Sequence, residues 1–233
     1  IFLDKNNKKS FQYSKLPYSK DIKSVLLNAN FEDIKYVDLN SEIWHLMNDN
    51  DRENIRKIET AGKKLDKHIR TGIATLKDAV YKFTPIREDE QFYYMNFDGV
   101  EYSIERGITK SIIKISSVNN EEDILNCTDR IIFPYEYSEE MGKYIIIPED
   151  TMKNIYPNAY EYLSHQIHYL DERSSQSKAV VWYEYGRSQG LNNYGTKLIH
   201  PTFSGKPKFM IDEMVDRLFV NGYAIFTDGI WDA

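Results

Sequence analysis

Phe92-Tyr93-Tyr94-Met95-Asn96-Phe97 and Glu101-Tyr102-Ser103-Ile104-Glu105 are two short runs, rich in aromatic and apolar residues, on either side of a turn-forming Asp98-Gly99. That is the pattern of a hairpin. Outward from it lie further strand-like runs at Ala79 to Phe83, Ser111 to Ile115, Arg130 to Tyr135 and Tyr144 to Ile147. Several alternate apolar with polar residues, so that one face is buried and the other is wet. The central third of the chain therefore predicts an antiparallel sheet or a partly closed barrel.

Helical spacing brackets this region. Residues 20 to 29 form one candidate helix. Residues 41 to 60 form a second, with Ile43, Leu46 and Met47 on one stripe and Ile55 and Ile58 on another, interrupted at Asn48 to Asp51. After the strands, Pro157 opens a helix expected to run to Arg173, with Tyr160, Leu163, Ile167 and Leu170 on one face. Strand character returns at Lys197 to Ile199, Lys208 to Ile211 and Leu218 to Phe226. The expected class is α+β, an antiparallel or mixed sheet or partial barrel with packed helices, plus an N-terminal helical extension. The expected division is 1–57 as extension or connection and 58–233 as the main domain.

With 233 residues, 41% of them apolar, the chain can bury a real core. No apolar run approaches the roughly 18 to 20 residues of a membrane span, so no membrane partner is expected. The start Ile1-Phe2-Leu3-Asp4-Lys5 has no signal-peptide layout, and opening without Met predicts a piece of a longer chain. The single cysteine, Cys127, has no partner for a disulfide or at metal-ligand spacing, which predicts a reducing, cytoplasmic setting. The net charge of −6 argues against nonspecific coating of nucleic acid, but it hides a pattern. Residues 52–82 carry 9 basic and 4 acidic groups and residues 151–210 carry 7 and 4, whereas residues 83–150 carry 6 and 15. A fold that joined the two basic islands would make a positive cleft with acidic walls, which focuses a polyanion.

The second island contains the densest mixture of aromatic faces, cations, carboxamides and glycines, between Leu163 and Pro201. Arg173, Lys178, Arg187 and Lys197 suit phosphates; Gln189, Asn192 and Asn193 suit base edges; Gly186, Gly190 and Gly195 permit close backbone approach. Trp182, Tyr183 and Tyr185 could stack on bases or buttress an arginine that faces them. In a strand, Trp182 and Glu184 share one face and Tyr183 and Tyr185 the other, so one set is expected in the core.

Other chemistries find less support. Glu161, His165 and His168 share a helix at spacings of four and three, but they flank the apolar stripe without a further ligand, and a solvated helix flank explains them. Asp98, Glu101 and Glu105 lie near the hairpin without the carboxylate-and-lysine arrangement of a metal-dependent nuclease, and Pro148-Glu149-Asp150 with Lys153 reads as an acidic helix start. No glycine-rich phosphate loop and no nucleophile elbow appear. No metal site, catalytic residue or cofactor is expected within this chain.

The order of six short segments resembles the TaqI-like C-terminal specificity domain of DNA adenine-N6 methyltransferases, including those of restriction-modification systems with a fused endonuclease. The segments are Ile69 to Thr75 with Asp78 to Tyr81; Arg130 to Tyr135; Tyr156 to Leu163; Leu170 to Arg173; Trp182 to Gln189; and Lys197 to Pro201. The family's Gly-Ile-x-Thr loop resembles Gly72-Ile73-Ala74-Thr75, and its Trp-Tyr-x-x-x-Arg-x-Gln run resembles Trp182 to Gln189. One falls in each basic island.

The resemblance implies a sequence-specific recognition domain for double-stranded DNA, serving a methyltransferase catalytic domain in cis that would hold S-adenosylmethionine and the flipped adenine, in the bacterial cytoplasm at the nucleoid. Phosphate contacts are then expected from Lys63, Lys64, Lys67, Arg70, Lys77, Arg173, Lys178 and Lys197, with Thr71 and Thr75 in the entry loop. Base contacts are expected from Arg187, Gln189, Asn192 and Asn193, with Trp182 and Tyr183 as stacking or buttressing rings. The competing readings are a protein-interaction module, in which the aromatic segment binds a partner domain, and a nuclease-associated domain of a restriction enzyme.

Overall fold

The computed structural model describes residues 9–16, 18, 21–39, 44–62, 64–173 and 178–226. The chain divides into two compact units, residues 1–64 and 65–233. The helix Asp49–Thr60 runs through the boundary expected at residue 57.

In the first unit, the strands Ser10–Tyr13 and Glu32–Lys35 pair antiparallel, so the extension contains a small sheet as well as helices. The helix Ile22–Leu27 is capped by Asp21, whose carboxylate accepts from the Ser24 amide, and Asp49–Thr60 is capped by Asn48, which accepts from the Asp51 amide. The second helix thus starts at the Asn48 to Asp51 stretch read as an interruption. The stripe residue Ile43 lies outside the described residues.

The second unit has the α+β character read from the sequence, and its sheets are open. One four-stranded sheet runs Met210–Asp212, Lys197–Pro201, Gly222–Phe226, Ile69–Thr71, antiparallel throughout. A second runs Leu218–Val220, Thr109–Lys114, Arg130–Ile132, Lys82–Phe83, with its first pair parallel. The quoted hairpin is present as Phe92–Phe97 paired with Val100–Glu105, in full register from Phe92↔Glu105 to Phe97↔Val100. Its turn works because Asp98 and Gly99 both take positive φ, 51° and 83°, matching the strands' twist. A further hairpin joins Tyr135–Ser138 to Lys143–Ile146.

Two expectations are corrected. Ala79 to Phe83 is not a strand: Asp78–Tyr81 is a helical turn and only Lys82–Phe83 is extended. Periodicity over five residues cannot separate a buried turn from a buried strand. The helix from Pro157 is two pieces, Pro157–His165 and Ile167–Asp171, broken at the buried Gln166. Its start is held by Glu105, whose two carboxylate oxygens accept from the amides of Asn158 (2.8 Å) and Ala159 (2.9 Å).

The core of this unit is unusually phenolic. Tyr81, Tyr162, Tyr183 and Tyr185 are all fully buried. All four hydroxyls donate to carbonyls: Tyr81 to Glu184 (3.4 Å), Tyr162 to Val80 (2.7 Å), Tyr183 to Ile147 (2.6 Å) and Tyr185 to Ile132 (2.6 Å). An unmet buried hydroxyl would cost about 1–3 kcal/mol, so these bonds fix which tyrosine sits where. Burial pushes the Tyr183 phenol up to about 12 and that of Tyr185 well above its usual value, which keeps both as neutral donors.

A candidate nucleic-acid interface

The two segments singled out in the sequence lie more than a hundred residues apart, and the fold bonds them directly. Ala74 and Arg187 form an antiparallel bridge. The Gly186 amide donates to the Thr75 carbonyl (2.9 Å) and the Arg187 amide to that of Ala74 (3.1 Å). The Gln189 Nε2 donates to the Gly72 carbonyl (3.0 Å) and the Asn193 Nδ2 to that of Thr71 (2.9 Å). The two motif segments, one from each basic island, are therefore joined at the Gly-Ile-x-Thr loop itself.

Glycine is required at this joint. Gly190 has φ +73°, and a Cβ there would stand 2.8 Å from the backbone of Gly72 and Ile73. A Cβ on Gly72 would stand 2.2 Å from the Phe219 carbonyl oxygen, which accepts the Ile73 amide. Leu76, opposite Gly186, takes a positive φ of 60°, a conformation that costs a non-glycine residue roughly 1 kcal/mol or more and that tight surroundings must maintain.

Around this joint Lys178, Arg187, Ser188 and Gln189 line an open hollow of about 520 Å³. Lys178 and Gln189 are exposed and Arg187 is half-buried. Gln189 spends one N–H on Gly72, which leaves one N–H and the carboxamide oxygen, the donor and acceptor that an adenine edge accepts in pairs. Asn192 is exposed beside the hollow and its Oδ1 accepts from the Tyr144 amide (3.3 Å), tying the site to the hairpin Tyr135–Ile146. Ser188 was not singled out from sequence; its place between Arg187 and Gln189 was the available signal.

The remaining expected residues divide sharply. Lys64 and Lys67 are exposed, and Thr71 is exposed at the end of its strand. Arg70 is half-buried with its guanidinium 4.5 Å from the Phe226 ring. Lys77 pairs with Glu172 at 3.1 Å. Lys63 lies outside the described residues. Trp182 is half-buried, edge-to-face with Tyr160 and Tyr183, which gives it a buttressing place.

Five expected contacts are corrected. Thr75 is fully buried, its hydroxyl donating to Asp78 while accepting from the Lys77 amide, so it shapes the loop from inside. Tyr183 is core. Asn193 is buried and braces the Thr71 carbonyl. Arg173 turns inward, donating to the carbonyls of Leu170, Glu184 and Trp182, which clips the helix end to the aromatic segment. Lys197 is 1% exposed, within 3.2 Å of Asp212 and donating to the Met214 carbonyl at 2.7 Å. Burial holds its pKa below the usual value, partly offset by Asp212. Each of these polar groups is consumed by the fold because a buried donor must be paired.

The alternative chemistries gain no geometry. Among the described residues no group of three His, Cys, Asp or Glu side chains is placed to hold a metal. Glu101 pairs with Arg87, Asp98 accepts the Tyr169 hydroxyl, and Glu149 pairs with Lys153. No helix among the described residues is long and apolar enough to cross a membrane.

No family model matches the chain. It is similar to a curated protein of Escherichia coli described as type II restriction enzyme and methyltransferase RM.Eco57I, with 28% identity over 253 aligned positions covering 97% of this chain and 24% of that protein. The chain thus spans about a quarter of the length of the relative it matches, and along nearly its whole length it is similar to part of a restriction enzyme and methyltransferase.

Proposed function

We propose that this chain is the sequence-specific duplex-DNA recognition part of a site-specific adenine-N6 DNA methyltransferase of a restriction-modification system. A catalytic domain in the same polypeptide would bind S-adenosylmethionine and methylate the base, and the protein would act in the bacterial cytoplasm. The observation that carries this reading is the hydrogen-bonded union of Thr71 to Thr75 with Gly186 to Asn193, which sets Lys178, Arg187, Ser188 and Gln189 around one open hollow. The similarity to part of a restriction enzyme and methyltransferase supports the same reading.

Lys178 provides charge for phosphates and so sets register. Arg187 offers the paired donors that guanine takes, and Gln189 the donor and acceptor that adenine takes. The buried tyrosines beneath and the Arg173 clip hold the segment rigid, so that binding spends little free energy on ordering it.

The test is methylation of genomic DNA by the full-length protein with labelled S-adenosylmethionine, followed by sequencing of modified adenines, for the unaltered protein and for Arg187→Ala and Gln189→Ala. A relaxed or altered motif with methylation retained is expected. An unchanged motif in both variants would reject the reading and favour a module that contacts a protein partner.

A further inference from the structure

A second set of aromatic and cationic side chains lies at the same end of the sheet that carries Thr71, outside the hollow. In the register of the four-stranded sheet, Thr71 pairs with Tyr223, and Tyr223 with His200. The His200 and Tyr223 rings stack at 5.5 Å with an interplanar angle of 26°, and Phe209 packs on His200 at 5.2 Å. The loop from Thr202 to Phe209 leaves the sheet at this point. It contains two lysines and no acidic residue, in a chain of net charge −6.

The loop is shaped by Ser204, whose hydroxyl donates to the Lys206 carbonyl (2.6 Å) and accepts from its amide (3.4 Å). Lys208 donates to the Asn119 side chain at 3.2 Å, which anchors one of its three N–H groups and leaves two. His200, Ser204, Lys206, Lys208 and Phe209 line an open hollow of about 400 Å³. Beside it Phe203 is 91% exposed. A phenyl held in water forfeits the burial free energy that would otherwise favour folding it inward, and between cations it has the make-up of a base-stacking or wedging residue. Two strand spacings, about 10 Å, separate Thr71 from His200, a span of about three base-pair steps.

We propose that the loop Thr202 to Phe209 is a second duplex-DNA contact flanking the reading surface, with Lys206 and Lys208 on phosphates and Phe203 against a base step. The proposal rests on the DNA-recognition reading and extends its footprint to residues that reading does not use.

The experiment is binding of the full-length protein to a duplex carrying its methylation site, titrated across salt concentrations. For Lys206→Ala/Lys208→Ala the slope of log affinity against log salt should fall in magnitude by about 1.8, at roughly 0.9 per phosphate released. For Phe203→Ala the slope should stay the same while affinity drops about fivefold or more and permanganate reactivity of thymines at the site's edge declines. Phe203 and Lys206 are exposed and Lys208 is half-buried beside Asn119, and unchanged thermal unfolding of each variant confirms that the fold is intact. Steep binding by the unaltered protein with an unaltered slope in the lysine double variant would overturn the second contact alone. No DNA binding by the unaltered protein would overturn both readings.

Discussion

The hollow of Lys178, Arg187, Ser188 and Gln189 and the cluster of Lys197, Asp212 and Arg217 draw on the same kinds of side chain and put them to opposite uses. In the first, cations stand at a surface around a joint whose hydrogen bonds all end on backbone carbonyls. In the second, Lys197 and Asp212 are direct register partners on neighbouring strands, both on the core-facing side, with Arg217 3.5 Å from the same carboxylate. A cation's role is therefore set by whether the sheet register brings an acid to the same buried face, and sequence position alone does not reveal that.

The largest expected effect tests the buried cluster. Removing Asp212 as Asp212→Ala leaves two buried cations facing each other without a carboxylate and should cost about 3–5 kcal/mol in urea unfolding. A loss below about 1 kcal/mol would mean that the cluster is solvated and that Lys197 is available after all. The pH dependence sharpens the same point. Lys197 has a folded pKa below its usual 10.5, so between the two values the unfolded chain binds more protons and stability rises with pH. The penalty is fully present below the folded value and gone above the unfolded one. Lys197→Met should flatten that alkaline rise, and an identical pH profile in the variant would contradict the assignment.

Next in size is the joint. Gly190→Ala forces an alanine to φ +73° with its Cβ 2.8 Å from the Gly72 backbone, and should cost about 2–3 kcal/mol as the two segments separate. DNA binding should be lost along with it. Retained affinity in a variant destabilised this much would show that the hollow does not depend on the joint.

Legibility followed the same division. The hairpin was readable as Phe92 to Phe97 and Glu101 to Glu105 because strand-like composition and a turn-forming stretch agreed, and the structure extends its second strand to Val100. The two motif segments were readable as a pair because each carried charge in an otherwise acidic chain. What escaped was whatever depended on partners distant in sequence. Tyr183 and Asn193 match recognition residues by type, yet Ile147 and Thr71 claim them as buried hydrogen-bond donors. The helical turn Asp78–Tyr81 follows from Thr75 bonding both Asp78 and the Lys77 amide, a local network that strand-like composition concealed. Arg173 lay at an expected helix end, and nothing in its neighbours announced three carbonyls converging on it.

The surface predictions separate readers from positioners. Arg187→Ala should reduce discrimination between cognate and unrelated duplex by about 1–3 kcal/mol. Equal losses on both duplexes would reduce Arg187 to a phosphate contact. Lys178→Ala is the smallest change and the most diagnostic of its neighbour's role. Lys178 is exposed, and its backbone amide already donates to the Gly186 carbonyl at 2.8 Å, so truncating the side chain removes charge without loosening the loop. Its removal should weaken binding to all duplexes alike and lower the salt slope by about 0.9. If Lys178→Ala instead changed the methylated motif, charge on this rim would be selecting sequence through groove shape, and the distinction between Lys178 and Arg187 would have to be redrawn.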